Sequence, residues 1–490
     1  MRKRFLLLIL LAATASAQAQ PTPVSLQAGP TLQLPSGSRP NDVTIIQSDI
    51  SFPDLLIPAT GTNQLLIYRQ YSSHTFYPVQ NMVPIVAQQP LSVQALNLVP
   101  GSTSVLPTDF VVLTGNGNLT PWRQTGQYVF QAGTALPLRQ GLPCAPTDRL
   151  VMGNYEGNGR SDLACLSNGP QPSVARVANN GNGALQVLAP APLRAGDSAT
   201  VLVTADLNRD PSRFDDLVLP RLNDPAGSVA LYPRPTTGPL APTWWNPLYA
   251  STLAMGGPGP ARCVAIGSLR TYDLPDLVIG AAAGAAAGVC YVRQHALGTA
   301  PFTYQAPLQT YLLPDVPQEM RLEDLNGDRR PELLVLGTNG TLTILTNISA
   351  TGNDVFDATP ITLTVGPDPA ILRMADLDAD GDLDVIVPCR GNNTVRIFWN
   401  TSSVVSATRS AAAAGLRLYP NPATDRLRLD WPGLSPTAGA TLLDLTGRTV
   451  RTWNAPALTT ELPVGDLPRG VYLLRVESAA GPVTSRVELR

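Results

Sequence analysis

The chain has 490 residues, enough for about three ordinary domains or for one large repetitive fold with an appended module. Its 48 Pro and 40 Gly interrupt the sequence too often for long helices, which excludes a helical bundle or a coiled coil and favours many short strands. Because 34 Lys and Arg face 36 Asp and Glu, there is no basic excess of the kind that phosphate backbones require, and we expect no nucleic-acid partner.

The N-terminal segment has the pattern of a secretory signal peptide. Basic residues at its start precede an apolar run, Phe5–Ala13, and small residues that suit cleavage after Ala17 or Ala19. The apolar run is too short to cross about 30 Å of hydrocarbon, and no later segment reaches that length. The sequence therefore predicts a signal peptide over residues 1–19, no membrane span, and a location outside the cell or on its outer surface.

A carboxylate followed by a short apolar run recurs along the chain at an average spacing of about 55 residues. The copies begin at Asp54, Asp109, Asp162, Asp216, Asp276, Glu332 and Asp384. An apolar segment precedes each carboxylate, and two further strand patterns follow it after turns. Seven units of four short strands predict a seven-bladed β-propeller over residues 20–401.

The two ends of this region complement each other. The seventh unit stops after its third strand near Asn400, whereas the segment that begins at Thr31 resembles the fourth strand that begins at Ile361. We therefore expect residues 24–35 to pair with the last blade and to close the ring, which leaves no unpaired sheet edge.

The turn between the first and second strands of blade seven has alternating acidic residues. Oxygen ligands at every second position, with Gly381 in the tight turn, suit calcium. The predicted ligands are the side chains of Asp376, Asp378, Asp380 and Asp384 and the backbone carbonyl of Asp382.

Other blades repeat this spacing less completely. Blade six has Arg329 where blade seven has the turn glycine, and its candidate ligands are Asp324, Asn326, Asp328, Arg330 and Glu332. Blade three offers fewer charges, with candidates Asn154, Glu156, Asn158 and Asp162. Blade four has extra residues before its final carboxylate, so its calcium occupancy stays open. The turns of blades one, two and five lack the early ligands, so Asp54, Asp109 and Asp276 are interpreted as structural caps.

These acidic loops and the apolar runs after them resemble FG-GAP/VCBS-type repeats, the integrin-like propeller family. The resemblance covers residues 22–400 and is most specific in blades six and seven. It implies calcium in loops on one face, where it stabilises the fold. It also implies ligand binding at the opposite face or at the central opening, without assigning particular loops.

The composition changes after a Ser/Ala-rich linker, residues 402–415. Short alternating strand patterns over residues 416–490 predict a small β-sandwich. Its YPNP start, DLTGR turn and RGVYLLRV segment resemble the C-terminal sorting domain of the type IX (Por) secretion system. The resemblance implies a Bacteroidetes-type host, passage across the outer membrane, and the type IX secretion machinery as a partner. Whether the protein is then released or attached to the surface stays open.

The sequence favours a binding protein over an enzyme. It has only two histidines, His74 and His295, and it lacks the GxSxG, HExxH and P-loop motifs. We expect a secreted, calcium-stabilised, non-catalytic propeller that binds an extracellular glycan or protein. The alternatives are a polysaccharide lyase or glycosidase on the propeller face and a purely structural surface component.

The five cysteines of the chain are an odd number, which leaves at least one thiol free or paired between chains. Local bridges between Cys144 and Cys165 and between Cys263 and Cys290 stay open from their spacing. The sequence has no CxxC pair, so it offers no support for a zinc site.

Overall fold

The computed structural model contains β-strands joined by turns and loops. It describes residues 23–46, 52–72, 74–79, 89–98, 109–138, 143–145, 148–155, 160–167, 172–181, 184–194, 197, 199, 201–208, 215–225, 227–233, 251–255, 259–269, 274–284, 286–295, 302–305, 309–349, 355–402, 409–410, 417–430, 440–443, 449–453, 459–476 and 483–490. Within these residues there is no helix, so the predicted all-β class is confirmed. The predicted signal peptide and the candidate ligands Glu156 and Asn158 lie outside the described residues.

The described strands between residues 26 and 400 form seven sheets, which we number sheet 1 to sheet 7 in chain order. The first strand of the chain, β1 (Leu26–Gln33), belongs to sheet 7. Sheet 1 contains β2 (Thr44–Ile46), β3 (Asp54–Ala59), β4 (Gln64–Ser72) and β5 (Thr75–Pro78). Sheet 2 contains β6 (Pro90–Ala95), β7 (Phe110–Thr114), β8 (Asn118–Gly126), β9 (Val129–Ala132) and β10 (Leu136–Pro137). Sheet 3 contains β11 (Leu150–Gly153), β12 (Asp162–Ser167), β13 (Ser173–Asn179) and β14 (Leu185–Pro192).

The remaining four sheets follow the same plan. Sheet 4 contains β15 (Val203–Ala205), β16 (Asp216–Pro220), β17 (Ser228–Tyr232) and β18 (Ser251–Ala254). Sheet 5 contains β19 (Ala261–Gly267), β20 (Asp276–Ala282), β21 (Gly288–Arg293) and β22 (Gln309–Leu313). Sheet 6 contains β23 (Pro317–Glu323), β24 (Glu332–Gly337), β25 (Thr341–Leu345) and β26 (Ile361–Thr364). Sheet 7 contains β27 (Arg373–Ala375), β28 (Asp384–Cys389) and β29 (Thr394–Asn400), with β1 as its fourth strand.

The burial of these strands follows their place in each sheet. Second strands such as β3, β20, β24 and β28 are buried along almost their whole length, which is why they read as continuous apolar runs in the sequence. First strands such as β15 and β27 are half-buried. The apolar cores therefore lie between neighbouring sheets, around their second and third strands.

Strand β1 completes sheet 7 from the other end of the repeat region. It pairs antiparallel with β29, from Leu26 opposite Asn400 to Gln33 opposite Thr394. The strand passes so close to Trp399 that a Cβ atom added to Gly29 would lie 2.6 Å from the indole Nε1. A larger residue at this position would therefore require a shift of the indole or of the strand.

The first strands of consecutive sheets lie against one another. Contacts join β2 to β6, β6 to β11, β11 to β15, β15 to β19 and β19 to β23. The Oε2 atom of Glu319 in sheet 6 accepts the N–H of Leu372 just before β27, at 2.8 Å. The Nε atom of Arg373 in sheet 7 donates to the carbonyl of Val43 just before β2, at 3.2 Å.

The chain divides into two compact units, the first ending at Ser402 and the second comprising Ser403–Arg490 together with Asn326–Asp328. The C-terminal strands are β30 (Arg409–Ser410), β31 (Arg417–Tyr419), β32 (Arg426–Asp430), β33 (Ala440–Leu443), β34 (Thr449–Trp453), β35 (Thr459–Pro463), β36 (Gly470–Val476) and β37 (Val483–Leu489). They form a sheet in the order β30-β37-β36-β33-β34 and a sheet in the order β31-β32-β35. Side chains of both sheets share one apolar core, which includes Leu427, Leu442, Leu462 and Leu474.

Two features differ from what the sequence suggested or left open. Arg409 and Ser410, inside the predicted linker, form a strand because their backbone pairs in parallel with Val483 and Thr484. All five cysteines are free thiols, and four of them are buried, so neither of the two local bridges is formed.

Candidate metal centre, carboxylate clamps and cavity

The repeated carboxylates bind backbone N–H groups at the start of each second strand. Asp384 accepts the N–H of Leu377 at 2.9 Å through Oδ2 and the N–H of Asn400 at 2.8 Å through Oδ1. One carboxylate thus holds the loop before its own strand and the end of the third strand. We call the seven repeated residues the clamp carboxylates: Asp54, Asp109, Asp162, Asp216, Asp276, Glu332 and Asp384.

The same double contact occurs where no calcium was predicted. Asp276 in sheet 5 accepts the N–H of Leu269 at 3.2 Å and the N–H of His295 at 2.8 Å. Asp109 in sheet 2 accepts the N–H groups of Leu98 and Gln124 in the same way. The clamp is therefore a feature of the repeat and does not depend on an acidic loop. The buried carboxylates accept hydrogen bonds from backbone N–H groups that would otherwise have no partner.

The loop of sheet 7, residues 376–384, brings three predicted ligands together. Ligand oxygens of Asp376, Asp378 and Asp384 all lie within 4.8 Å of one another, and they are the one group of this kind found among the described residues. Asp380 and Asp382 are not in this group. Asp380 is exposed, and it accepts the N–H of Asp382 at 2.9 Å.

One oxygen of this cluster has an environment that fits a cation. Oδ1 of Asp376 is buried and has no hydrogen-bond partner, whereas Oδ2 accepts the N–H of Gly381 at 3.1 Å. A buried carboxylate oxygen without a donor is costly. Carboxylate and carbonyl oxygens are the ligands that calcium takes, so the donor set fits this ion.

The local electrostatics also favour a cation. Burial raises the pKa of Asp384 to about 6, although the N–H groups of Asn400 and Leu377 act to lower it. Burial, and then the charges of Asp380 and Asp376, raise the pKa of Asp382 to about 6. The ionised forms are thus less stable in the folded chain than in the unfolded chain. Without a cation, these groups lower folding stability as the pH rises from about 4 through about 6.

The loop of sheet 6 repeats the backbone pattern of sheet 7. Asp324 accepts the N–H of Arg329 at 2.8 Å, and Oδ1 of Asn326 accepts the N–H of Asp328 at 3.0 Å. These contacts match those of Asp376 with Gly381 and of Asp378 with Asp380. Glu332, the clamp of this sheet, accepts the N–H of Leu325 at 2.9 Å.

Arg329 takes the conformation of the glycine that it replaces. Its φ is 67°, and that of Gly381 is 99°. A left-handed backbone is uncommon for a residue with a Cβ atom, so the sequence indicated that Arg329 would form this tight turn less readily than a glycine. The turn forms nonetheless, and Arg330 occupies the position that corresponds to Asp382.

The described part of the sheet 3 loop connects two sheets. Asp162 acts as a clamp, with the N–H of Tyr155 at 3.0 Å and that of Asn179 at 2.9 Å. The backbone N–H of Asn154 donates to Oδ2 of Asp215, next to the sheet 4 clamp, at 2.8 Å. Burial raises the pKa of Asp215 to about 6, despite this hydrogen bond.

A histidine of sheet 1 reaches the acidic loop. Nε2 of His74, in the turn between β4 and β5, lies 3.2 Å from Oδ2 of Asp378. The imidazole packs edge-on against Trp399, with ring centroids 4.3 Å apart. A groove of about 680 Å³ opens beside these residues and gives ions access to the loop.

Sequence reasoning missed a second set of recurring aspartates, which lie shortly before first strands. They are Asp42, Asp148, Asp197, Asp315 and Asp368. Asp315, for example, accepts the N–H of Asn339 at 2.9 Å and the hydroxyl of Thr341 at 2.9 Å. The signal that would have found them is an aspartate that precedes the first-strand pattern in five of the seven units.

First strands also line a cavity of about 560 Å³, which we call the first-strand cavity. Its walls include residues of β6, β11, β15, β19, β23 and β27. Strands of six different sheets therefore surround a single space.

Comparison with known protein families matched two parts of the chain. Residues 324–387 match an FG-GAP-like repeat, and residues 417–489 match a secretion system C-terminal sorting domain. The chain carries an FG-GAP-like repeat and a type IX sorting domain. Both predicted resemblances are thus confirmed, and the repeat is matched where its acidic loops are most regular. The sorting domain implies interaction with the type IX secretion machinery and export to the cell surface or the extracellular space.

More distant comparisons add little. Comparison with curated protein sequences gave no match. Among solved structures, the chain is similar to PorZ, an essential bacterial surface component of the type IX secretion system of Porphyromonas gingivalis, at 13% identity and a TM-score of 0.42. That similarity covers 92% of this chain and 59% of PorZ. Raptor of Chaetomium thermophilum is similar at 12% identity and a TM-score of 0.48, over 79% of this chain and 29% of Raptor. Both similarities are too distant to transfer a function.

Among the described residues, no helix is long and apolar enough to cross a membrane.

Proposed function

We propose that residues 20–401 form a closed seven-bladed β-propeller, which calcium stabilises in the acidic loop of blade seven. Exported by type IX secretion, it binds an extracellular glycan or protein without catalysing a reaction. The observation that carries this proposal is the Oδ1 atom of Asp376, which is buried without a hydrogen-bond partner beside the carboxylates of Asp378 and Asp384. This cluster belongs to the sheet that the N-terminal strand completes.

Contacts from sheet to sheet support a closed ring. The first strands of sheets 1 to 6 contact one another in succession, from β2 to β23. A hydrogen bond from Leu372 to Glu319 then connects sheet 7 to sheet 6. Sheet 7 also contacts sheet 1, for example through Arg373 to Val43 and through Asp378 to His74. A ring in which the last sheet meets the first is the arrangement of a propeller.

The environments of the two histidines support a binding role over a catalytic one. His295 is buried, its ring packs against Tyr304, and its backbone N–H is held by the clamp Asp276. The imidazole of His74 faces Asp378 and Trp399. Among the residues that the structure describes, neither histidine lies between a nucleophile and an orienting carboxylate, the arrangement that a triad mechanism requires.

The proposed function is tested by presenting the full-length protein to an array of extracellular glycans and proteins, in calcium and again in EGTA. We expect stoichiometric, calcium-dependent binding of at least one array member, with no change in its mass after incubation. We expect the binding to depend on calcium, because the ion would hold the acidic loop of blade seven, which contacts His74 of blade one. Product formation at catalytic protein levels, or no binding in either buffer, would contradict the proposal.

A further inference from the structure

The first-strand cavity has an unusual concentration of arginines. Five arginines line it, together with the three carboxylates Asp148, Glu319 and Glu323. The arginines are Arg149, Arg262, Arg321, Arg373 and Arg390. The wall of the cavity thus carries more positive than negative side chains, in a chain whose overall net charge is −2.

Three of these arginines converge on one point. Arg149 and Arg390 both donate to Oδ1 of Asn41, at 3.0 Å and 3.1 Å. Arg373 donates to Oδ1 of the adjacent Asp42 at 2.9 Å. Guanidinium groups from sheets 3 and 7 thus meet at the start of sheet 1. We call Arg149, Arg373 and Arg390 the arginine cluster.

Several carboxylates lie close to the cluster. Asp42 is fully buried behind the cavity wall, and its Oδ2 atom accepts the hydroxyl of Ser92 at 2.7 Å and the N–H of Val93 at 3.2 Å. Asp368 is half exposed, and its Oδ1 atom accepts from Nε and Nη2 of Arg390 at 3.1 Å and 2.7 Å. Glu319 is held by Arg321 at 2.9 Å.

The like charges of the cluster repel one another. Burial lowers the pKa of Arg149 to about 10, and the charges of Arg390 and Arg373 add to that effect, while Asp42 opposes it. An anion that enters the cavity would relieve this repulsion. Arginine suits carboxylates, because a hydrogen bond from a guanidinium group to a carboxylate is charge-assisted.

The remainder of the cavity suits a polar ligand of modest size. A volume of about 560 Å³ is within the range of small-molecule sites. The neutral side chains of Gln94 and Gln318 also line the cavity. Their amide nitrogens donate to backbone carbonyls, which leaves their Oε1 atoms to accept from hydroxyl groups. A carboxylate together with several hydroxyls is the chemistry of a uronic acid.

We infer that the first-strand cavity binds the carboxylate of an acidic, uronate-containing saccharide through the arginine cluster. This inference rests on the proposed function and names its ligand class. The carboxylate lies against the guanidinium groups of Arg149 and Arg390, and the sugar hydroxyls face the neutral polar side chains. Binding weakens as salt concentration rises, since part of the affinity is electrostatic.

The test is a calorimetric titration of the full-length protein in calcium buffer with a galacturonate disaccharide, with its neutral methyl ester and with a glutamate-rich peptide. We expect the uronate to bind at least tenfold more tightly than its ester and than the peptide. Equal affinity for acid and ester would overturn the inference, as would tighter binding of the peptide. This comparison needs no variant, so it stands even if substitutions in the cavity disturb folding.

Substitutions then locate the site. Arg149→Gln and Arg390→Gln are each expected to weaken uronate binding at least tenfold, whereas Arg426→Gln, an exposed arginine of the C-terminal module, leaves it unchanged. Unchanged affinity in a folded Arg149→Gln or Arg390→Gln variant would overturn the assignment of the site. If the array shows binding of neutral glycans or proteins but the uronate does not bind, the inference fails and the proposed function stands. If nothing binds, both fail.

Discussion

A chain that begins at Ser36 is expected to lose about 6 kcal/mol of folding free energy relative to a chain that begins at Pro23. The shorter chain lacks residues 23–35, which include β1 and the buried side chains of Val24, Leu32 and Leu34. Burial of one such side chain stabilises a protein by about 1.5 to 3 kcal/mol. A loss of this size approaches the whole stability of many domains. The measurement is the denaturant midpoint of both chains.

The same deletion exposes a sheet edge. Without β1, strand β29 has no partner on its outer side and Trp399 loses its cover, so the shorter chain is also expected to self-associate in light scattering. A synthetic peptide of residues 23–35 should restore the midpoint, because it can add as a strand to the open edge. Equal midpoints for the two chains would refute the role of β1 in closure.

Asp276→Ala is expected to destabilise the protein by about 3 kcal/mol, equally in calcium and in EGTA. The substitution leaves the buried N–H groups of Leu269 and His295 without their acceptor. Each buried donor that loses its partner costs about 1 to 3 kcal/mol. Sheet 5 lacks the acidic sequence of the sheet 7 loop, so we expect its clamp to act without a metal. The free energy of unfolding from denaturant titration measures the effect.

Asp276→Asn is the matched control for the clamp. Its side-chain oxygen can still accept one of the two N–H groups, so the expected loss is roughly half that of the alanine variant. A loss below about 1 kcal/mol for Asp276→Ala, or a loss that appears only in calcium, would show that the clamp does not hold the sheet.

Local sequence patterns predicted most of the fold. Asp276 and Asp384 each begin a second strand. A carboxylate followed by an apolar run recurs in every repeat, so the second strands can be located from the sequence alone. The same holds for the acidic loop, since Asp376, Asp378 and Asp384 lie close in the chain and one turn brings them together. The family match to residues 324–387 falls on the repeat whose pattern is most regular.

The arginine cluster could not be predicted in this way. Arg149 and Arg390 meet at Asn41 although they are 108 and 349 residues from it in the chain. No local period connects such residues, because their proximity depends on how whole sheets are arranged. Arg329 illustrates a different limit. Its φ is 67° and its N–H donates to Asp324, and residue type alone does not predict this left-handed backbone.

Calorimetric titration of calcium into the full-length protein at pH 7.5 and at pH 5.0 tests the central claim most directly. At pH 7.5 we predict binding that is lost in the Asp376→Asn variant and raises the thermal midpoint of the parent chain. At pH 5.0 we predict about tenfold weaker binding, because calcium must displace a proton from Asp384, whose pKa is raised to about 6. An ordinary carboxylate would already be ionised at that pH. No calcium binding at pH 7.5, or binding that Asp376→Asn leaves intact, would contradict a calcium-stabilised propeller.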